Sequence, residues 1–230
     1  MKREHSKLQK VDGVIYAVSR IVESRDPYTA GHQWRVAELA RAIANEMGLS
    51  EWQGKGCHVA GLLHDVGKVA VPAEILNKPG KLSRNEFSLI KNHPWVGYEI
   101  LEKLGFPWPV TQAILQHHER LNGTGYPAGL SDKEIILEAK ILGVADVVEA
   151  MSSDRPYRPA LGLDHALKEI SQQRDILYDS EVVDACLRLF KKNDFAFEKL
   201  MSTADRREYA TTAAGGKNNE TGDTLIICVH

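Results

Sequence analysis

The chain has 230 residues, 43% of them hydrophobic and 26% charged, with a formal net charge of −2. That length supports one domain with a full-sized core, and the near-neutral balance excludes a global attraction to a nucleic acid polymer or an anionic membrane. Three scattered cysteines (Cys57, Cys186, Cys228) exclude a disulfide framework and a cysteine-rich zinc site, and no apolar run reaches the roughly 20 residues of a membrane span.

Residues 1–10 are charged and carry no signal-peptide apolar region, so a cytoplasmic protein, or the cytoplasmic part of a larger one, is expected. Leu8, Val11, Ile15, Val18 and Val22 alternate three and four apart, forming an apolar helical seam. Such a seam packs either against its own domain or against a second copy, which would make a homodimer through the N-terminal helix. Asp26-Pro27 breaks it. A second helix is expected over residues 30–47, with Val36, Leu39, Ala40, Ile43 and Met47 on one face and Gly48 ending it. A third runs up to Leu62-Leu63-His64-Asp65 and is interrupted at Gly67. Residues 77–81 form a turn cluster, and Ser83 with Glu86 is a capping-box signature for the helix that follows.

Helical periodicity continues over residues 87–91, 96–104 and 110–119, broken at Pro94 and at Pro107 and Pro109. Residues 120–132 hold three glycines and one proline and read as a loop. Residues 134–151 are strongly apolar with Asp146 inside, and two further helices are expected over 164–173 and 180–192. Beyond Ser202 the apolar pattern fades, so residues 1–200 are expected as one helical domain and 201–230 as a tail without fixed structure. The short apolar run at 224–229 has no account. No repeat and no alternating strand pattern occurs: the expected fold class is all-α.

Five histidines, His32, His64, His93, His117 and His118, each fall in or beside a helical segment. One histidine on an apolar face is ordinarily a hydrogen-bonded core residue; five accompanied by two carboxylates in apolar runs are not so easily placed. Asp65 follows Val59-Ala60-Gly61-Leu62-Leu63 with only His64 between, and Asp146 is flanked by Ile141, Leu142, Val144, Ala145, Val147 and Val148. A carboxylate buried there without a partner costs several kcal/mol or neutralises, so each needs a cation: an arginine or a metal. The adjacent pairs His64-Asp65 and His117-His118 diverge by about 100° on a helix, which suits two metals side by side better than one tetrahedral ion. Imidazole mixed with carboxylate suits iron, manganese, zinc, nickel or cobalt. Two divalent ions against two aspartates leave positive charge over, which favours a bridging hydroxide and a substrate phosphate. Lys68, Arg155 and Arg158 are either solvated surface charges or phosphate contacts, and Pro156 and Pro159 stiffen the stretch that holds the arginines.

His64-Asp65-Val66-Gly67-Lys68 resembles the His-Asp signature of the HD phosphohydrolase superfamily, and His117-His118-Glu119 with Gly125-Tyr126-Pro127 resembles its HD-GYP subfamily over roughly residues 10–192. The ordered set from Asp26-Pro27-Tyr28-Thr29 and His32 to Asp146 and residues 154–158 carries the likeness. The resemblance implies an HD-type helical bundle and a bacterial enzyme hydrolysing the second messenger cyclic di-GMP to linear pGpG, GMP or both. It implies a bi- or trinuclear metal site, commonly iron or manganese, and attack by a metal-bridging hydroxide. It puts His32, His64, Asp65, His93, His117, His118 and Asp146 on metal-ligand positions, with Asp65 bridging. It puts Lys68, Arg155 and Arg158 on phosphate contacts and Gly125, Tyr126 and Pro127 in a substrate-side loop; for such hydrolysis Lys68 is also the expected proton donor to the leaving group. Tyr28 stands where trinuclear members have a glutamate, so two metals are expected; Asn122 stands where an aspartate is common. Two alternatives stay open: another cyclic dinucleotide or nucleotide as substrate, or a non-catalytic module that binds cyclic di-GMP and signals through protein partners. Relatives often carry a sensory domain ahead of this one, so the chain is expected to be a stand-alone enzyme or an excised piece.

Overall fold

In the computed structural model, residues 2–25, 31–153, 160–192 and 195–197 are described, with side chains from residue 13 onward. Ten helices are found among them: α1 (Lys2–Glu23), α2 (His32–Glu46), α3 (Glu51–Leu63), α4 (Ala73–Leu76), α5 (Arg84–Ile90), α6 (His93–Leu101), α7 (Val110–Gln116), α8 (Leu137–Ser152), α9 (Leu163–Gln172) and α10 (Ser180–Lys191). No strand occurs among the described residues; two isolated bridges, Asn122 with Ser131 and Arg174 with Tyr178, pin loops. The all-α expectation holds. No helix there is long and apolar enough to cross a membrane. The expected tail at 201–230, and Tyr28, Arg155 and Arg158, lie outside the described residues.

The axis of the core is α8. It is apolar on every side, and Ala139 and all residues from Ile141 to Met151 are buried, as befits a helix surrounded by others. It packs against α2, α3, α7, α9 and α10. Against it lies the α2–α3 pair, joined by a short connection in which Gly48 (φ 79°) takes the left-handed turn and Ser50 opens α3 with a reciprocal capping box to Gln53. These two helices approach closely because Gly61 faces the backbone of Ala37: a Cβ there would stand 2.4 Å from the Ala37 Cα. The Ser83/Glu86 capping box is present at the start of α5.

The N-terminal helix α1 packs on α3 and on the 3-10 turn Val66–Ala70. Ile15 and Val22 are buried in the main core and Val18 packs against it, so the described part of the seam serves its own domain. That 3-10 turn and the short α4 lie where the sequence pattern shows only an interruption at Gly67. The long connection after α7 is a loop, as its glycines indicate.

Candidate metal centre

Three of the five histidines occupy the same local position. His64 follows the last residue of α3, His117 follows the last residue of α7, and His93 stands three residues beyond the end of α5. Helix C-termini leave carbonyls without intrahelical partners, and each imidazole satisfies one: Nδ1–H donates to Gly61 O at 2.8 Å from His64, to Ile90 O at 2.8 Å from His93 and to Ile114 O at 2.6 Å from His117. A carbonyl only accepts, so the proton is on Nδ1 in all three. Each Nε2 therefore presents a lone pair to the interior, an arrangement suited to metal ligation.

The aspartates come from neighbouring structure. Asp65 sits at the junction of α3 with the 3-10 turn, and Asp146 lies in α8, one turn beyond Gly143, whose missing side chain lets α8 approach the His117 carbonyl. All seven expected ligand residues are buried, none more than 5% exposed. They form two separate groups, linked by a third (His64, Asp65 and His117) that overlaps both. His32, His64 and Asp146 bring donor atoms within 4.8 Å of one another, as do His93, His117 and His118. Asp65 stands between: its Oδ2 is 3.4 Å from His64 Nε2 and 3.8 Å from His32 Nε2, while its Oδ1 is 3.4 Å from His93 Nε2.

Burial pushes the His93 imidazole down to about 4, and pushes His64, His117 and His118 down as well, so all four are neutral at pH 7. Burial pushes the two carboxyls up, but at Asp65 Lys68 together with the His64, His93 and His32 imidazoles outweighs it, and at Asp146 the imidazoles of His32, His64 and His118 together do; both are held well below the usual carboxylate range. The result is an arrangement that is unsatisfied on its own. His93 Nε2 and His117 Nε2 face each other at 3.4 Å, and with both protons on Nδ1 there is no hydrogen between them. His64 Nε2 and His118 Nδ1 are buried without a hydrogen-bond partner. Inward lone pairs beside two carboxylates fit divalent cations held by imidazole and carboxylate. Among the described residues the close charged or imidazole neighbours of Asp146 are His32 and His64, at 3.4 and 3.7 Å, and not an arginine.

Of the expected phosphate contacts, Lys68 is at the centre's edge, with Nζ 2.8 Å from Asp65 Oδ2 and its side chain 22% exposed. The Gly-Tyr-Pro loop braces the centre. Tyr126 stacks on the His118 ring at 4.6 Å, and its backbone N–H donates to His118 O at 3.1 Å. Gly125 is required for that return, since a Cβ would stand 2.4 Å from the Glu119 Cα. Pro127 is exposed. Asn122 uses its Oδ1 inside the loop, accepting from Thr124 N and Oγ1 at 3.2 and 2.7 Å.

Buried Glu119 and Glu149 are given no role by the sequence alone. Glu119 accepts Ala128 N–H and Leu130 N–H at 2.7 and 2.9 Å, fastening the loop. Glu149 is 0% exposed; its Oε2 is hydrogen-bonded to His32 Nδ1, while Oε1 accepts from Arg35 Nε at 2.6 Å and Ser153 Oγ at 2.7 Å. The signal exists: Glu149 stands three residues after Asp146 in the same apolar run, where a buried carboxylate needs a partner just as Asp146 does.

An HD domain family model matches residues 16–182, and the chain belongs to that family. It is 42% identical over 173 residues to the cyclic di-GMP phosphodiesterase response regulator RpfG of Xanthomonas campestris pv. campestris, covering 74% of this chain and 46% of that protein. It is 37% identical over 179 residues to the 3′3′-cGAMP-specific phosphodiesterase 3 of Vibrio cholerae, covering 78% and 38%. The fold matches the crystal structure of a cyclic GMP-AMP-specific phosphodiesterase of V. cholerae with a TM-score of 0.64 at 19% identity, over 85% of this chain and 52% of that one. The chain thus spans about half the length, or less, of these three proteins. The likeness to the HD superfamily drawn from His64-Asp65 is borne out by the family model.

Proposed function

We propose that this chain is a metal-dependent phosphodiesterase that hydrolyses cyclic di-GMP, with two divalent ions held by His32, His64 and Asp146 on one side and His93, His117 and His118 on the other. Asp65 bridges them. The observation that carries this reading is the Asp65 carboxylate, each of whose oxygens faces a different histidine group. When bound, two such ions lower the pKa of an attacking water and neutralise charge on both oxygens of an in-line displacement at phosphorus. Iron or manganese is the proposed pair, with nickel, cobalt or zinc able to substitute.

The protein's own groups supply the rest. Neutral imidazoles leave net positive charge at the centre when it is loaded, which attracts the phosphodiester. Lys68 reaches the edge of the centre with its ammonium on Asp65. From there it contacts a non-bridging phosphate oxygen and gives a proton to the departing 3′ oxygen. Arg155 and Arg158 are assigned to the same phosphate on sequence alone. The Gly125-Tyr126-Pro127 loop forms the substrate-side wall, with Tyr126 fixed on His118. We further propose a cytoplasmic location, signalling proteins as partners, and a homodimer through α1, on which Val14 and Ile21 are 65% and 62% exposed.

The test is incubation of iron-, manganese- or nickel-loaded protein with cyclic di-GMP and separation of the nucleotides; linear pGpG or GMP is expected, and no product with any of the three metals overturns the activity. A second reading, hydrolysis of 3′3′-cGAMP, is favoured by the 37% identical relative named for that substrate. Competition between the two cyclic dinucleotides in one reaction decides between them. Protein that never retains metal points instead to a binding module.

A further inference from the structure

We propose that Glu149 is a positioning residue of the metal centre: it fixes the protonation of His32, so that the bare Nε2 nitrogen and not a proton faces Asp65 and Asp146. This rests on the two-metal reading above. The geometry gives Glu149 two separate tasks. Its Oε2 takes the hydrogen bond of His32 Nδ1, and its Oε1 takes those of Arg35 Nε and Ser153 Oγ. His64, His93 and His117 have their Nδ1–H fixed by backbone carbonyls at helix ends. His32 is different. It is the first residue of α2, whose N-cap is Gly31 at φ 73°, and its Nδ1 is hydrogen-bonded to a side-chain carboxylate. That carboxylate comes from α8, and Arg35, one turn along α2, holds it in place.

The polarity of these bonds makes the assignment sharp. An arginine side chain can only donate. In Glu149→Gln the single amide oxygen is drawn to Arg35, which leaves the amide NH2 facing His32 Nδ1. That nitrogen must then accept, and the imidazole proton moves to Nε2, where it points at Asp146 and occupies the direction a cation needs. The variant keeps the shape of the side chain and reverses one donor–acceptor pair. Loss of such an outer partner costs about 10–100-fold in metal affinity, and here the loss falls on one of two sites. Replacing Arg35 as well, by glutamine, removes this donor-only partner. The amide introduced by Glu149→Gln can then turn its oxygen to His32, and affinity returns.

Zinc is the probe, chosen because it is diamagnetic. Calorimetric titration of metal-free protein with zinc should give two ions for the native chain. Glu149→Gln should bind one ion normally and the second about 10–100-fold more weakly, with Arg35→Gln/Glu149→Gln recovering most of that loss. Equal weakening of both ions, undiminished binding in the single variant, or a double variant weaker than the single would each overturn the proposal. A native chain that binds no zinc, iron or manganese refutes the metal reading itself, which keeps the two failures apart. Independently of any variant, 15N NMR of the zinc-loaded native protein should show His32 with its proton on Nδ1; a bare Nδ1 there refutes the assignment.

Discussion

His93 and His117 meet through two unprotonated nitrogens, and His64 keeps a third lone pair buried beside two carboxylates. Each imidazole is held by the backbone carbonyl three residues before it, so removing one neighbour leaves the others in place. For that reason His64→Ala or Asp65→Ala is expected to abolish turnover while the far-UV circular dichroism of the native chain is retained. Loss of Asp65 removes the only described carboxylate that reaches both histidine groups. Near-normal product formation by either variant would show that the centre is wrongly assigned. The chemical types are readable in the chain: histidines beside helices and acids in apolar runs are visible without coordinates. The role of Glu149 is not, because it depends on Arg35 and His32, over a hundred residues away.

At the scale of elements, the sequence carries the long helices because their periodicity is sustained, and it carries α5 because Ser83 and Glu86 cap it. It does not carry the 3-10 turn Val66–Ala70, which is too short for a period and is set by what it packs on. Gly67 is the point of contact: a Cβ there would stand 1.9 Å from His93 O and 2.6 Å from Gly97 N. Since the turn follows Asp65 and α6 begins at His93, this crossing sets the separation of two proposed ligands. Gly67→Ala is expected to cost about 3 kcal/mol through overpacking, and to weaken metal binding as Asp65 and His93 move apart. Gly13 gives the opposite case. It lies inside α1, and a Cβ added to it would meet nothing within 4 Å, so Gly13→Ala should stabilise by about 0.5–1 kcal/mol through helix propensity alone. Chemical denaturation of the two variants checks both signs; a stabilised Gly67→Ala would mean the turn and α6 are not in contact.

The whole molecule places four neutral imidazoles in an interior from which water is excluded, and this couples the centre to folding. His93 is pushed down to about 4, against about 6.5 for an unfolded histidine. Between these values the unfolded chain binds more protons than the folded one. Stability present above pH 6.5 is therefore lost as pH falls toward 4. His93 alone accounts for about 2 kcal/mol between pH 7 and pH 5, and His64, His117 and His118 are displaced in the same direction. For a chain of this size that corresponds to a fall in Tm of about 4–8 °C from His93 by itself. Metal-free protein followed by thermal denaturation across that range should show the drop, and zinc should raise Tm at pH 7 because it binds the folded centre alone. A metal-free Tm that stays level from pH 7 to pH 5 would mean the imidazoles are already charged or open to water. The interior would then lack the free lone pairs on which metal binding depends.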